Sequence, residues 1–421
     1  MASIDRRSQQ VKQELKRLLP AGQIKRHAKA VGYRWRERKL GPAMTVHLWI
    51  MQVLLCNLSL IHSRYLCNKP VSISGICQAK LRLPLALLKR LNAYLIRQLD
   101  QRDSNTSRWR GHRLFAGDGV TYYTPNSSQL RKHLGSKKPF GYPLLKSLSL
   151  VNLCSGVMTH QIPLPHKRQE TPLLGRMLRH LLRGDVLILD RAFASFWNLL
   201  QGQQSGIHLL VRLKKCFCAK AGTRRTLIKR LGKGDLLVRW TRPKERSMMS
   251  LWRWTSMQRE LTLRQISLSV KRRGYRPRQI TLITTLLDPV EYPAGEIASL
   301  YARRWEIETC FRHLKQTLNL EHLRCKTHLG VRKELLIRTM AYNLVRATMQ
   351  RVAALTGTEP ERVSFADTLQ WMILSASCWT EYDIIINATR PDRIEPRRLK
   401  SQRKNYLPLN CSRTKARKLA A

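Results

Sequence analysis

The spacing of apolar residues changes twice along the chain, and each change predicts a different architecture. Up to about residue 105, long proline-free stretches carry apolar residues three and four apart, as in "VHLWIMQVLLCNLSLIHSRYL", which predicts a helical domain over residues 1–105. From about residue 106 the pattern becomes short apolar runs divided by turn residues. "GHRLFAGDG", "LKSLSLVNLCSGVMTHQIPL", "GDVLILD" and "GIHLLVRL" predict strands, with Asp118 and Asp190 ending the first and third. "TPLLGRMLRHLL" and "ASFWNLLQGQ" predict helices among them, so the fold class is α/β with part of the sheet parallel. Residues 214–278 interrupt this with a basic, strand-like insertion in which Trp252 and Trp254 flank Arg253. "ITLITTLL" then restores a buried strand, a helix is expected from about residue 296, and residues 106–350 make one unit. Residues 351–421 form a C-terminal helical and basic segment, suited to dimerisation or DNA contact.

Composition narrows the partner. With 421 residues and 43% hydrophobic content the chain can bury a large core. Against 26 Asp and Glu stand 78 Lys and Arg, a formal charge of +52. Such an excess repels itself and is best tolerated against a polyanion, so nucleic acid is the expected partner. The longest apolar run, residues 48–61, is shorter than the ~20 residues a bilayer span needs, and reads as a core helix. The N-terminus lacks the apolar stretch of a secretory signal, and ten scattered cysteines without a CxxC pair fit reduced thiols, so a cytoplasmic chain is expected. His322, Cys325 and His328 offer three metal donors where a structural zinc site wants four. Arg34, Arg36, Arg38 and Lys39 form a basic cluster that fits either DNA contact or a solvated surface.

Few acids lie in the α/β region, so those at strand ends carry information. Asp118, between Gly117 and Gly119, also reads as an ordinary turn residue, and Asp190 as the cap of a helix beginning near Ala194. Asp190 alternatively sits at the carboxyl edge of the sheet, where α/β proteins bind ligands. In "SLYARRWEIETCFRHLKQTLNL", a helix turning by about 100° per residue puts Tyr301, Arg304, Glu308 and Lys315 on one face ~60° wide. A carboxylate, a guanidinium, an ammonium and a phenol on one stripe make a poor core, although the Arg304–Glu308 spacing also fits a solvated ion pair. Asp118, Asp190 and Glu308 converging would repel one another unless divalent cations, Mg²⁺ or Mn²⁺ with oxygen ligands, compensated them.

These residues, Asp118 in "GDG", Asp190 in "LDRAF" and the spacing Y-x2-R-x3-E-x6-K from Tyr301 to Lys315, resemble the DDE transposases of bacterial insertion sequences, and more narrowly the insertion-sequence-four family. The resemblance implies a ribonuclease-H-like core with a β insertion, in which Asp118, Asp190 and Glu308 are catalytic and bind two metal ions. It implies that Tyr301, Arg304 and Lys315, with help from Arg191, hold phosphates of the element's terminal inverted repeats. It further implies a bacterial enzyme that cuts and joins transposon-end and target DNA as a synaptic homodimer, with a hairpin intermediate as one route, in which Trp252 or Trp254 could stack on a flipped base, core packing being the stronger reading of either tryptophan. An inactive or domesticated DNA-binding copy, and a nuclease that cuts without joining, are the competing readings.

Overall fold

The computed structural model describes residues 9–67, 70–100, 108–136, 141–213, 225–243, 257–270, 278–374 and 380–388, with Trp254 and Thr414 singly. Helices occupy the first of the predicted regions, at Gln9–Leu18, Ala21–Ala30, Pro42–Leu54, Ile73–Arg82 and Leu85–Asp100. Pro42 opens its helix at the position where a missing N–H is harmless, and almost every side chain from Pro42 to Leu54 is buried. The expected core helix over 48–61 holds only as far as Leu54, since Cys56 and Ile61 beyond it are exposed, and among the described residues no helix is long and apolar enough to cross a membrane. Gln9–Leu18, Pro42–Leu54 and Leu85–Asp100 pack on the 29-residue helix His328–Thr356, which is buried nearly all round, and Ala21–Ala30 and Ile73–Arg82 pack on them in turn.

The described strands form one nine-stranded sheet in the order β3-β2-β1-β4-β5-β9-β8-β7-β6. β1 (Leu114–Tyr123), β2 (Leu144–Asn152) and β3 (Met158–Pro165) are an antiparallel meander, while β4 (Val186–Leu189) and β5 (His208–Arg212) run parallel to β1. β9 (Arg278–Thr284) joins antiparallel to β5, and β6 (Arg225–Gly232), β7 (Asp235–Thr241) and β8 (Glu260–Val270) extend the same sheet. The expected insertion is therefore an outgrowth of the main sheet. Both faces of the central strands are covered: Ala116, Val120 and Ile188 face the helical core, Phe115, Leu187 and Leu189 the other.

Two local expectations need correction. Asp118 lies in the middle of β1, because the β-branched and aromatic "VTYY" after it keeps pairing with β2 as far as Tyr123 opposite Leu144. Nor is 299–320 a single α-helix. It comprises Ala294–Ala302, a tightened turn, Trp305–Arg312 and a π turn, His313–Thr317. In the tight turn Arg304 N donates to Tyr301 O and Ile307 N to Arg304 O, both three residues back, whereas Leu318 N reaches five back to His313 O. Arg303 holds the break, its guanidinium bonded to Glu306, Glu361 and the Leu153 carbonyl. A phase advance of 100° per residue therefore does not hold across the segment.

Candidate active site

The backbone brings the two aspartates together. The parallel β1–β4 ladder ends at Gly117 opposite Leu189, so the next residues on the two strands are Asp118 and Asp190. The flanking glycines are needed for packing rather than for a turn. A side chain at Gly117 would strike Leu189 at 2.8 Å and Met177 at 2.9 Å, and one at Gly119 would meet the Glu170 carboxylate at 2.4 Å. Gly119→Ala is expected to swing the Glu170 carboxylate, the free end of a partly exposed side chain, aside and to cost less than about 1 kcal/mol in denaturant unfolding; a loss of several kcal/mol would mean that β1 itself has to move. Asp190 begins the 3₁₀ turn Arg191–Phe193 without capping it, and Ser195 caps the following helix through Asn198 N at 3.2 Å. The cap role expected of Asp190 is thus taken by another residue, and its carboxylate faces the site.

Arg304 joins the third acid to the first. Its Nη2 donates to Glu308 Oε1 at 2.8 Å and its Nη1 to Asp118 Oδ2 at 3.4 Å, and the side chain is only 12% exposed. Asp118 Oδ1 accepts from the Gly119 N–H at 2.7 Å. Burial pushes the Asp118 carboxyl up to about 6; the charges of Asp190 and Glu170 add to the rise, while the Gly119 N–H and Arg304 oppose it. Burial likewise pushes the Tyr301 phenol up to about 12, with Arg304, Asp190 and Arg212 close enough to act on it. Tyr301 therefore stays protonated at neutral pH, and its oxygen accepts from Arg304. The tight turn explains its place, since residues three apart nearly eclipse in 3₁₀ geometry and Tyr301 sits over Arg304.

Lys315 lies half-buried on the π turn and Arg191 is exposed beside Asp190. Among the described residues no three His, Cys, Asp or Glu side chains already stand in a metal-holding group. What stands there is a guanidinium shared by two carboxylates, with a third acid adjacent. The donors are all hard oxygens crowded enough to raise a carboxyl pKa, and a cation already links two of them, which fits a divalent ion.

Trp252 lies outside the described residues; Trp254 packs under the Arg242 guanidinium at 3.8 Å. His322 stacks on Tyr123, His328 stacks on His133, and the Cys325 N–H bonds Glu334, so each member of that trio has its own neighbour. Two residues at the site escape sequence reading. Glu170 is brought in by the chain after β3, with no signal in the sequence. Trp305, 65% exposed next to Arg304, was visible in "RRWEIE" as an apolar residue out of helical phase.

With this geometry in view the comparisons become specific. A family model described as the transposase DDE domain matches residues 103–344. This chain belongs to the DDE transposase family, enzymes that cleave and transfer DNA and depend on a divalent metal. Within that family it is an insertion-sequence transposase of the insertion-sequence-four type. It is 30% identical over 312 residues to the transposase InsG of insertion sequence element IS4 from Escherichia coli (strain K12), an alignment covering 72% of this chain and 67% of that one. A putative transposase, InsZ, from the same organism is 31% identical over 143 residues, covering 32% of this chain and 46% of its own length. A piggyBac transposase in a synaptic complex with hairpin DNA overlays 88% of this chain and 83% of its own at 11% identity and a TM-score of 0.44, too loose a likeness to carry an argument.

Proposed function

We propose that Asp118, Asp190 and Glu308 hold Mg²⁺, with Mn²⁺ as a substitute, and that this centre cuts the ends of an insertion element and joins them to target DNA. The observation that carries the reading is the meeting of Asp118 and Asp190 where the parallel β1–β4 pair ends, with Glu308 tied to Asp118 through Arg304. When bound, the metal supplies activation of the attacking oxygen and stabilisation of the leaving one. The chain's own groups do the gripping. Arg304, now shared by two carboxylates, turns to a phosphate of the terminal repeat once those carboxylates are otherwise neutralised. Tyr301 donates its hydroxyl to the same backbone, Lys315 adds a point charge and Arg191 a bidentate fork. Trp305 offers an exposed ring for stacking.

The core reads as ribonuclease-H-like. An antiparallel β1–β2–β3 meander with β4 and β5 parallel to β1, in the order 3-2-1-4-5, supports that reading. Joining two ends requires that both be held together, so the working form is a synaptic homodimer acting on the bacterial nucleoid, with excision through a hairpin. Incubating the purified chain with end DNA and Mg²⁺ tests the whole: nicked and strand-transferred products are expected, and cutting without joining would favour the nuclease reading. Lys315→Ala should lower end affinity and reduce the slope of log K against log salt by ~0.9, one phosphate's worth on duplex DNA. An unchanged slope would remove Lys315 from the contact.

A further inference from the structure

A second site lies well away in sequence from the carboxylates, in the loop between helices Ala21–Ala30 and Pro42–Leu54. Here a cleft of about 770 Å³ is lined by Arg34, Arg36, Arg38, Lys39 and Arg82, with the rings of Tyr33 and Trp35 in its wall. All five cations are exposed, and among the described residues no carboxylate lines the cleft. Five like charges around one concavity repel one another, a cost that an anion in the cleft removes. The aromatic wall is built rather than incidental. Trp35 Nε1 donates to Glu37 at 3.2 Å, and Glu37 is held in turn by Lys25 Nζ at 2.9 Å. Tyr33 and Trp35 stand with ring centroids 5.9 Å apart, both backed by the helical core, while Lys39 Nζ ties the loop across to the Pro70 carbonyl at 3.2 Å.

Cations alone would fit any stretch of duplex backbone. An aromatic face beside them inside a concavity adds a requirement, because a ring stacks only on a base whose own face is free, and in a duplex those faces are covered. We propose that this cleft holds a single-stranded DNA segment, its phosphates on Arg34, Arg36 and Arg38 and one unstacked base on Trp35. The inference rests on the reading that the chain works on DNA, but not on which residues cut it. Unpaired DNA arises in any reaction that opens a strand near an element's end, and the cleft would keep such a segment from re-pairing.

The test uses the full chain and a fluorescein-labelled oligothymidylate of about twelve nucleotides, within the ~4–16 that one such binding surface spans. Trp35→Ala should weaken single-strand binding by about 5- to 150-fold, with Trp35→Phe recovering most of the loss, while affinity for a blunt duplex of equal length changes by less than about twofold. Arg36→Ala should lower the single-strand salt slope by ~0.7. Far-ultraviolet circular dichroism and a thermal melt of each variant separate a lost contact from a lost fold, Trp35→Phe being the variant that keeps the packing. Equal weakening of single strand and duplex, or no effect of Trp35→Ala in a folded protein, overturns the proposal. End cleavage by the wild-type chain is read separately, so failure here leaves the assignment of the carboxylates intact.

Discussion

Asp190→Asn and Glu308→Gln are expected to lower Mg²⁺-dependent cleavage of the element's end by about a thousandfold or more, on the order of 4 kcal/mol of transition-state stabilisation, with end binding nearly unchanged. Each substitution keeps shape and hydrogen-bonding capacity but deletes the charge that a cation needs. Asp118→Asn should do the same to cleavage and, uniquely, stabilise the metal-free protein. The native Asp118 carboxyl titrates near 6 rather than at its ordinary 3.8 because it is buried among other acids. An acid with a raised folded-state pKa binds its proton more tightly when folded, so stability falls as pH rises from about 4 to about 6, and the full penalty is present above that. Measured with a chelator, Asp118→Asn should therefore be more stable than wild type by roughly 1–3 kcal/mol at pH 7.5, the difference closing as pH is lowered towards 4. Substantial cleavage by any of the three variants would remove that residue from the centre. A destabilised Asp118→Asn protein would show that Arg304 outweighs burial there.

Part of the site was legible, because one of its acids depends on a strand end. An apolar run closing on an aspartate, "DVLILD", places Asp190 at a sheet edge from sequence alone, and the Tyr301-to-Lys315 spacing marks its segment before any coordinates. Asp118 was expected at the end of its strand, whereas it lies within β1. Glycines on both sides suggested a turn, whereas Gly117 and Gly119 leave room for Met177 and Glu170 against β1. The uniform helix face failed more instructively. Periodicity assumes one pitch, but Arg303 is bonded to Leu153 and Glu361 on two distant stretches of chain as well as to nearby Glu306, and such long-range bonds favour a tight turn that no local pattern announces. Glu170 was invisible for the same reason: its position follows from how the chain after β3 crosses the sheet.

Glu334→Ala is expected to cost about 3–5 kcal/mol of folding stability, the largest structural effect of any single substitution considered. Glu334 and Arg338 face each other one turn apart on the long helix, 5% and 2% exposed, at 2.6 Å. Their real work lies in what they hold. Glu334 accepts from the backbone N–H groups of Arg324 and Cys325 at 2.9–3.0 Å, and Arg338 donates to the carbonyls of Leu320 and His322. Those residues form the strap that leaves the π turn and lies against the end of β1, where Tyr123 N donates to Glu321 O and Leu323 N to Tyr123 O. The pair therefore fastens the exit of the segment carrying Glu308 and Lys315 to the strand carrying Asp118. Removing the carboxylate strands two partly buried N–H donors and a guanidinium together, and that sum, rather than the ion pair itself, sets the size of the loss. Arg338→Met should cost less, since a methionine fills the space and leaves Glu334 its two backbone donors. Because the two side chains share one network, the double variant should lose clearly less than the two single losses added. Denaturant unfolding of the four proteins decides the matter: additive losses, or a Glu334→Ala protein within about 1 kcal/mol of wild type, would mean that the strap is held by something else.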